Sequence, residues 1–246
     1  MKLRLRLGRV MHPVTVTVFP SFCRLCGRTL EDPGQKIVCG HCLDRVEFHH
    51  GPVCPVCGRF YHQPAASGHL CGHCLERPEP FSRHRSLGPY AGRLKEIILL
   101  FKYKECEALG RVLGQMAYDR LATDGLFAGL DFIVPVPLHR KREKRRGFNQ
   151  ADLLGRALSD LSGVPLLPRV LIKVRYTPAQ VSLEAAERES NLRGAFGVRK
   201  AGRIDGRTIL LVDDVFTTGS TLRECAAELR RAGAREVRAL TVARAV

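Results

Sequence analysis

The sequence predicts an α/β chain in which a parallel-sheet core is preceded by a small cysteine-rich module. Three observations predict it. Eight of the ten cysteines fall in four C-x-x-C pairs between Cys23 and Cys74. The run Ile209-Leu-Leu-Val212 is short, continuously apolar and followed by two acids, as a strand buried on both faces of a parallel sheet should be. Residues 221–232 then place Leu222, Cys225, Ala226 and Leu229 on one helical face, Gly233 offers a stop, and a second apolar strand, Val237 to Ala243, completes a β-α-β unit. Cys225 belongs to that core face.

A chain of 246 residues accommodates one ordinary domain plus a module too small to support its own core. The expected division is an N-terminal extension at 1–22, a cysteine module at 23–82 and an α/β domain at 83–246. The first residues, MKLRLRLGRV, alternate basic and apolar side chains, so no secretory signal is expected. No run of about 20 apolar residues occurs, so no membrane insertion is expected either. The chain is read as cytosolic, with Met1 and Met11 both open as starts.

In a reducing compartment a C-x-x-C array binds metal rather than forming disulfides. The pairs repeat internally: C-R-L-C-G at 23–27 returns as C-P-V-C-G at 54–58, and C-G-H-C-L at 39–43 returns at 71–75. Each unit supplies two knuckles, hence four thiolates for one tetrahedral Zn²⁺. Site one is Cys23, Cys26, Cys39 and Cys42; site two is Cys54, Cys57, Cys71 and Cys74. A cross-braced arrangement competes, and the repeat disfavours it. Full thiolate sets leave no open coordination position, so both zinc ions are structural. Gly27 and Gly58 suit the left-handed turn after a knuckle. His41 and His73 lie inside knuckles and are read as exposed rather than ligating, as are His49, His50, His62 and His69.

The formal charge of +16 points to anionic partners. Residues 1–82 carry 10 Lys/Arg against 6 Asp/Glu, an excess that eight thiolates and two Zn²⁺ reduce to about zero. The positive charge therefore belongs to the α/β domain.

Asp213 and Asp214 are expected at the carboxyl end of a buried strand, with Thr217-Thr218-Gly219-Ser220-Thr221 opening the next helix. Unpaired N–H groups and the helix dipole favour an anion there, Gly219 permits close backbone approach, and the four hydroxyls add donors. The acids repel a phosphate, so they suit sugar hydroxyls or a hydrated Mg²⁺. A Walker-type site is excluded because no G-x-x-x-x-G-K-[ST] occurs.

A further apolar strand, Asp131 to Pro137, runs into residues 140–146, which hold six basic side chains and one acid. Arg140, Lys141, Arg145 and Arg146 are candidates for a departing pyrophosphate or for nucleic-acid phosphates. A helix carrying Ala151, Leu154, Ala157, Leu158 and Leu161 follows. The helical stretch 92–121 is expected to break near Lys102 to Glu107, giving two helices ahead of the core sheet. The polar, Pro178-containing stretch from Lys173 to Phe196 reads as an excursion over the site. Aromatics for base stacking are sparse, with Trp absent; Phe148 is the candidate, against a packing role.

The motifs V-P-V-P-L-H…R-R-G-F-N-Q (134–150), R-Y-T-P-A-Q (175–180), N-L-R-G-A-F (191–196) and I-L-L-V-D-D-V-F-T-T-G-S-T (209–221) together resemble the ComF family. The last of them resembles the 5-phosphoribosyl 1-pyrophosphate (PRPP) motif of type I phosphoribosyltransferases. The resemblance implies that fold, with its parallel, Rossmann-like core, behind a double zinc ribbon. It implies that Asp213 and Asp214 address the ribose hydroxyls, that Thr217 to Thr221 wrap the 5′-phosphate, and that Mg²⁺ accompanies PRPP. It also implies a part in natural competence, handling single-stranded DNA in the cytosol, with an active PRPP-dependent transferase of unknown acceptor, or a scaffold for a competence helicase, as alternatives.

Overall fold

The computed structural model describes residues 21–30, 37–61, 68–103, 106–176 and 192–245. Residues 1–20 of the extension, His62 and most of the excursion, from Thr177 to Asn191, lie outside the described residues. The chain divides into two compact units, Met1–Val46 and Glu47–Val246.

In the smaller unit two knuckles face each other. Phe22 bridges Thr29 across the first, and the short helix α1 (Gly40–Asp44) opens at Cys39 in the second. In the larger unit Val53 bridges Phe60, and α2 (Gly72–Glu76) opens at Cys71. Gly27 and Gly58 adopt φ of 72° and 66°, the left-handed turn expected after each first knuckle.

The larger unit is built on four parallel strands: β1 (Arg83–Pro89), β2 (Phe132–Pro135), β5 (Thr208–Phe216) and β6 (Glu236–Arg244), in the order β1-β6-β5-β2. A separate antiparallel pair joins β3 (Leu171–Lys173) to β4 (Phe196–Val198). The helical stretch divides as expected into α3 (Gly92–Leu100) and α4 (Leu109–Leu121). They are not ahead of the sheet, however, because β1 precedes them. Its sequence R-H-R-S-L-G-P is no apolar run; among the described residues only one flank pairs, and the sheet interior receives His84, Ser86 and Leu87 from it.

Leu210, Leu211 and Val212 are fully buried between helical layers, which is why this strand reads as a continuous apolar run. On one side lies α7 (Ser220–Arg231), which buries Leu222, Cys225, Ala226 and Leu229. Each buried leucine contributes about 1.5–3 kcal/mol. Helix α6 (Gln150–Ser162) buries Ala151, Leu154, Ala157 and Leu158. Asn149 caps it by accepting from the Ala151 N–H at 3.1 Å.

One further expectation needs correction. Strand β5 does not stop at Val212: the equally long β6 keeps it paired through Asp213↔Thr241 to Phe216↔Arg244, so both acids sit within the ladder. Residues 140–146 form a short helix, α5 (Arg140–Arg146), and Gly147 ends it at φ 88°.

The order of strands reverses between β2 and β5. From β5 the chain crosses through α7 to β6 on one side. From β2 it crosses through α6 to Leu166, which bridges Ile133 in parallel on the other side. Loops leaving adjacent strand ends in opposite directions open a crevice, the usual place for a ligand in such sheets.

Candidate functional site

The two cysteine tetrads are Cys23, Cys26, Cys39 and Cys42, and Cys54, Cys57, Cys71 and Cys74; within each, the four sulfurs lie within 4.8 Å of one another. The sequential pairing is thereby realised and the cross-brace is not. Sulfur separations are 3.9 Å for Cys23 and Cys42, 3.6 Å for Cys26 and Cys39, 3.9 Å for Cys54 and Cys74, and 3.5 Å for Cys57 and Cys71. A tetrahedron with metal–sulfur bonds of about 2.3 Å has edges of about 3.8 Å, so both tetrads fit Zn²⁺. Burial opposes the charged thiolate, yet backbone N–H groups of Cys39, Leu25 and Cys26 bring Cys23 down to about 6. Those of Cys71, Cys57 and Val56 do the same for Cys54. Each tetrad thus holds one thiol already biased to ionise. The second tetrad is also part of the sheet unit's core, in one buried cluster with Val134, Ile209, Leu211 and Phe216.

At the crevice, β5 delivers Asp213 and Asp214, and the turn after it delivers Thr217 to Thr221. Gly219 is the residue before the first turn of α7, at φ 83°. Thr218 Oγ1 and Ser220 Oγ lie 2.9 Å apart at the same helix start. Asp213 Oδ1 accepts the Asp214 N–H at 2.8 Å. Burial, then the Asp214 carboxylate beside it, pushes the Asp213 carboxyl well above the usual carboxylate range. An acid pair in that state gains from any ligand that brings hydroxyl donors or a cation.

The basic residues separate. Arg146 is partly buried, bonds Gln150 Oε1 at 2.9 Å, and is close enough to both aspartates to feel their charge. Arg140 instead lines a cleft of about 910 Å³ together with His139, Asn149, Arg169, Lys173 and Arg199. Lys141 lies 5.4 Å from the Tyr176 ring, and Arg145 is exposed. Phe148 is 8 % exposed and packs on Phe101 at 6.1 Å, so it offers no face for stacking. Tyr176, 43 % exposed and edge-on to His139 at 5.0 Å, does.

Some site residues were missed from the sequence. Lys102 places its ammonium 4.0 Å from Asp214. The Tyr90 phenol is raised by burial and then by Asp214. Lys173 is pulled down by burial and by Arg142, and attracted by Asp213. The only signal for Lys102 was the broken helical pattern around F-K-Y-K. His73 is no ligand: its Nε2 lies 2.9 Å from Arg223 Nη2.

A switch-point crevice holding an acid pair and a hydroxyl-rich helix start, in a chain that also carries two cysteine tetrads earlier in its sequence, defines a type I phosphoribosyltransferase-fold protein with a double zinc ribbon. The family models agree: the Double zinc ribbon domain matches residues 14–75 and the Phosphoribosyl transferase domain matches residues 143–245. The chain is 33 % identical over 216 residues to Competence protein F of Haemophilus influenzae, covering 85 % of this chain and 90 % of that one. It is 36 % identical over 223 residues to the DNA utilization protein YhgH of Escherichia coli, covering 89 % and 94 %. It is 29 % identical over 195 residues to Competence protein ComFC of Bacillus subtilis, covering 77 % and 76 %. The chain belongs to the ComF family. Among the described residues no helix is long and apolar enough to cross a membrane.

Proposed function

We propose that this protein binds PRPP or a related ribose 5-phosphate with Mg²⁺ in the crevice between β2 and β5, and serves DNA uptake by handling single-stranded DNA in the cytosol. The observation that carries the ligand reading is the start of α7 at Gly219, directly after a strand bearing Asp213 and Asp214. The free N–H groups of that helix would receive the 5′-phosphate, and the two carboxylates would accept from the ribose hydroxyls. Mg²⁺, when bound, would neutralise the pyrophosphate. Names such as competence protein and DNA utilization protein among the relatives support the cellular role.

Calorimetry with PRPP and Mg²⁺ tests the ligand. Micromolar binding that Asp214→Asn weakens at least ten-fold is expected; absence of heat from PRPP would remove the reading.

A second reading, an active transferase, is favoured by Lys102 and Arg146 beside the acid pair. Departing pyrophosphate develops negative charge that these two cations would offset. Pyrophosphate release from PRPP in the presence of candidate bases and amines, abolished by Asp214→Asn, is the expected sign. No release with any acceptor would leave a binding protein.

A further inference from the structure

We infer that the second cysteine tetrad positions the phosphate loop through Glu79 and Arg223, which act as positioning residues for the site proposed above and rest on that reading for their ligand. Arg223 lies one turn into α7. Its Nη1 donates to the Thr218 carbonyl at 2.8 Å, gripping the loop from beneath. Its Nε and Nη2 donate to Glu79 Oε2 at 2.8 Å and Oε1 at 3.0 Å, a two-point fork. The Glu79 side chain is 1 % exposed. A carboxylate that buried is retained only when paired, so the fork holds one geometry.

The other end of the fork is a knuckle of the tetrad. His73, between Cys71 and Cys74, sets its Nε2 2.9 Å from Arg223 Nη2 and 3.3 Å from Glu79 Oε1. A second path reaches the same loop. The Cys57 carbonyl accepts from Arg244 Nη1 at 2.6 Å and from His84 Nδ1 at 2.9 Å. Both of these side chains lie on the Phe216 ring, His84 at 4.5 Å and Arg244 at 4.3 Å, and Phe216 supports Gly219. Each half of the tetrad is thus joined to the turn 216–219. A metal held by the tetrad would fix the knuckles from which both paths start.

The test uses the full chain with its zinc, ribose 5-phosphate as probe, and hydrogen exchange of amides 218–223 as a second readout that needs no ligand. Glu79→Gln keeps the volume and removes the charge. It is expected to weaken ribose 5-phosphate at least ten-fold and to accelerate exchange at 218–223, while the chain still carries two zinc ions. Arg223→Lys, which keeps the charge and loses the fork, should do the same to a smaller degree. Combined with Glu79→Gln it should add nothing. Glu228→Gln, which removes an acid on the same helix whose carboxylate pairs with Arg231, should change neither readout. Unchanged exchange and unchanged affinity in both Glu79→Gln and Arg223→Lys would overturn the tether. Faster exchange together with a wild type that does not bind ribose 5-phosphate would uphold the tether and overturn the ligand reading instead.

Discussion

Gly219 lies against the ring of Phe216 so closely that a Cβ on it would meet Cζ at 2.4 Å. The position also has φ 83°, where any L side chain is strained. Both reasons select glycine, and both arise from a strand that must turn at once into a helix. Gly219→Ala is therefore expected to cost about 1–3 kcal/mol of stability. The same substitution should weaken ribose 5-phosphate more than ten-fold, measured by calorimetry at a temperature where the variant remains folded. An alanine variant with wild-type affinity would mean that the turn is not a phosphate seat.

Asp213 gives the site a pH dependence of definite sign. Its carboxyl is raised in the folded protein, by burial first and by Asp214 second, so between the unfolded and the folded value the native state keeps a proton that the unfolded chain has lost. Stability from this group is full below the unfolded value of about 4 and is lost as pH rises through the window above it. Thermal melts from pH 4 to 8 should accordingly show Asp213→Asn gaining on the wild type as pH rises. Ligand binding that needs the carboxylate should release a proton, visible as a buffer-dependent heat. Parallel pH profiles for the two proteins would refute the shift.

The elements legible in the sequence were those whose burial pattern and chemistry coincide. The apolar run 209–212, the face Leu222-Cys225-Ala226-Leu229 and the thiol repeat each state one environment without ambiguity. Strand β1 was hidden because its inward positions include His84, a polar residue admitted only because the Cys57 carbonyl and Thr241 Oγ1 meet its two ring nitrogens. Lys102 and Lys173 reach the acid pair from α3's end and from β3, distances in sequence that no local pattern encodes. Phe148 was open in the sequence to stacking or packing, and the turn at Gly147 decides it by directing the ring inward onto Phe101.

The two tetrads should differ in what their metal supports. The first lies in the small unit Met1–Val46, a size at which a chain depends on metal for its fold. The second lies within the buried cluster of the sheet unit. Purified protein should carry two zinc ions per chain. Cys57→Ser should lower that to one and lower the main melting transition by several degrees, whereas Cys26→Ser, also at one zinc, should leave that transition in place. Equal effects on the main transition would contradict this division. If the second tetrad is tied to the phosphate loop, ribose 5-phosphate should also raise the affinity for one of the two zinc ions in a chelator competition, since coupling between binding sites is reciprocal.

Single-stranded DNA should be held mainly by charge and only locally by stacking. Arg140, Lys141, Arg145 and Arg146 occupy one short helix, and Tyr176 stands beside Lys141 with an open face. Neutralising all four cations should reduce the slope of log affinity against log salt by about 3, given a slope of roughly 0.7 per phosphate contact on single strands. Because Arg146 also feels the charges of Asp213 and Asp214, the triple variant without it separates DNA binding from the proposed ribose site, with a slope change of about 2. Tyr176→Ala should weaken a short oligonucleotide about ten-fold without altering the slope, as loss of one stacked base costs roughly 1–3 kcal/mol. Phe148→Leu should lower stability and leave oligonucleotide affinity alone. A salt slope indifferent to the triple variant would place the DNA contact elsewhere on this basic chain.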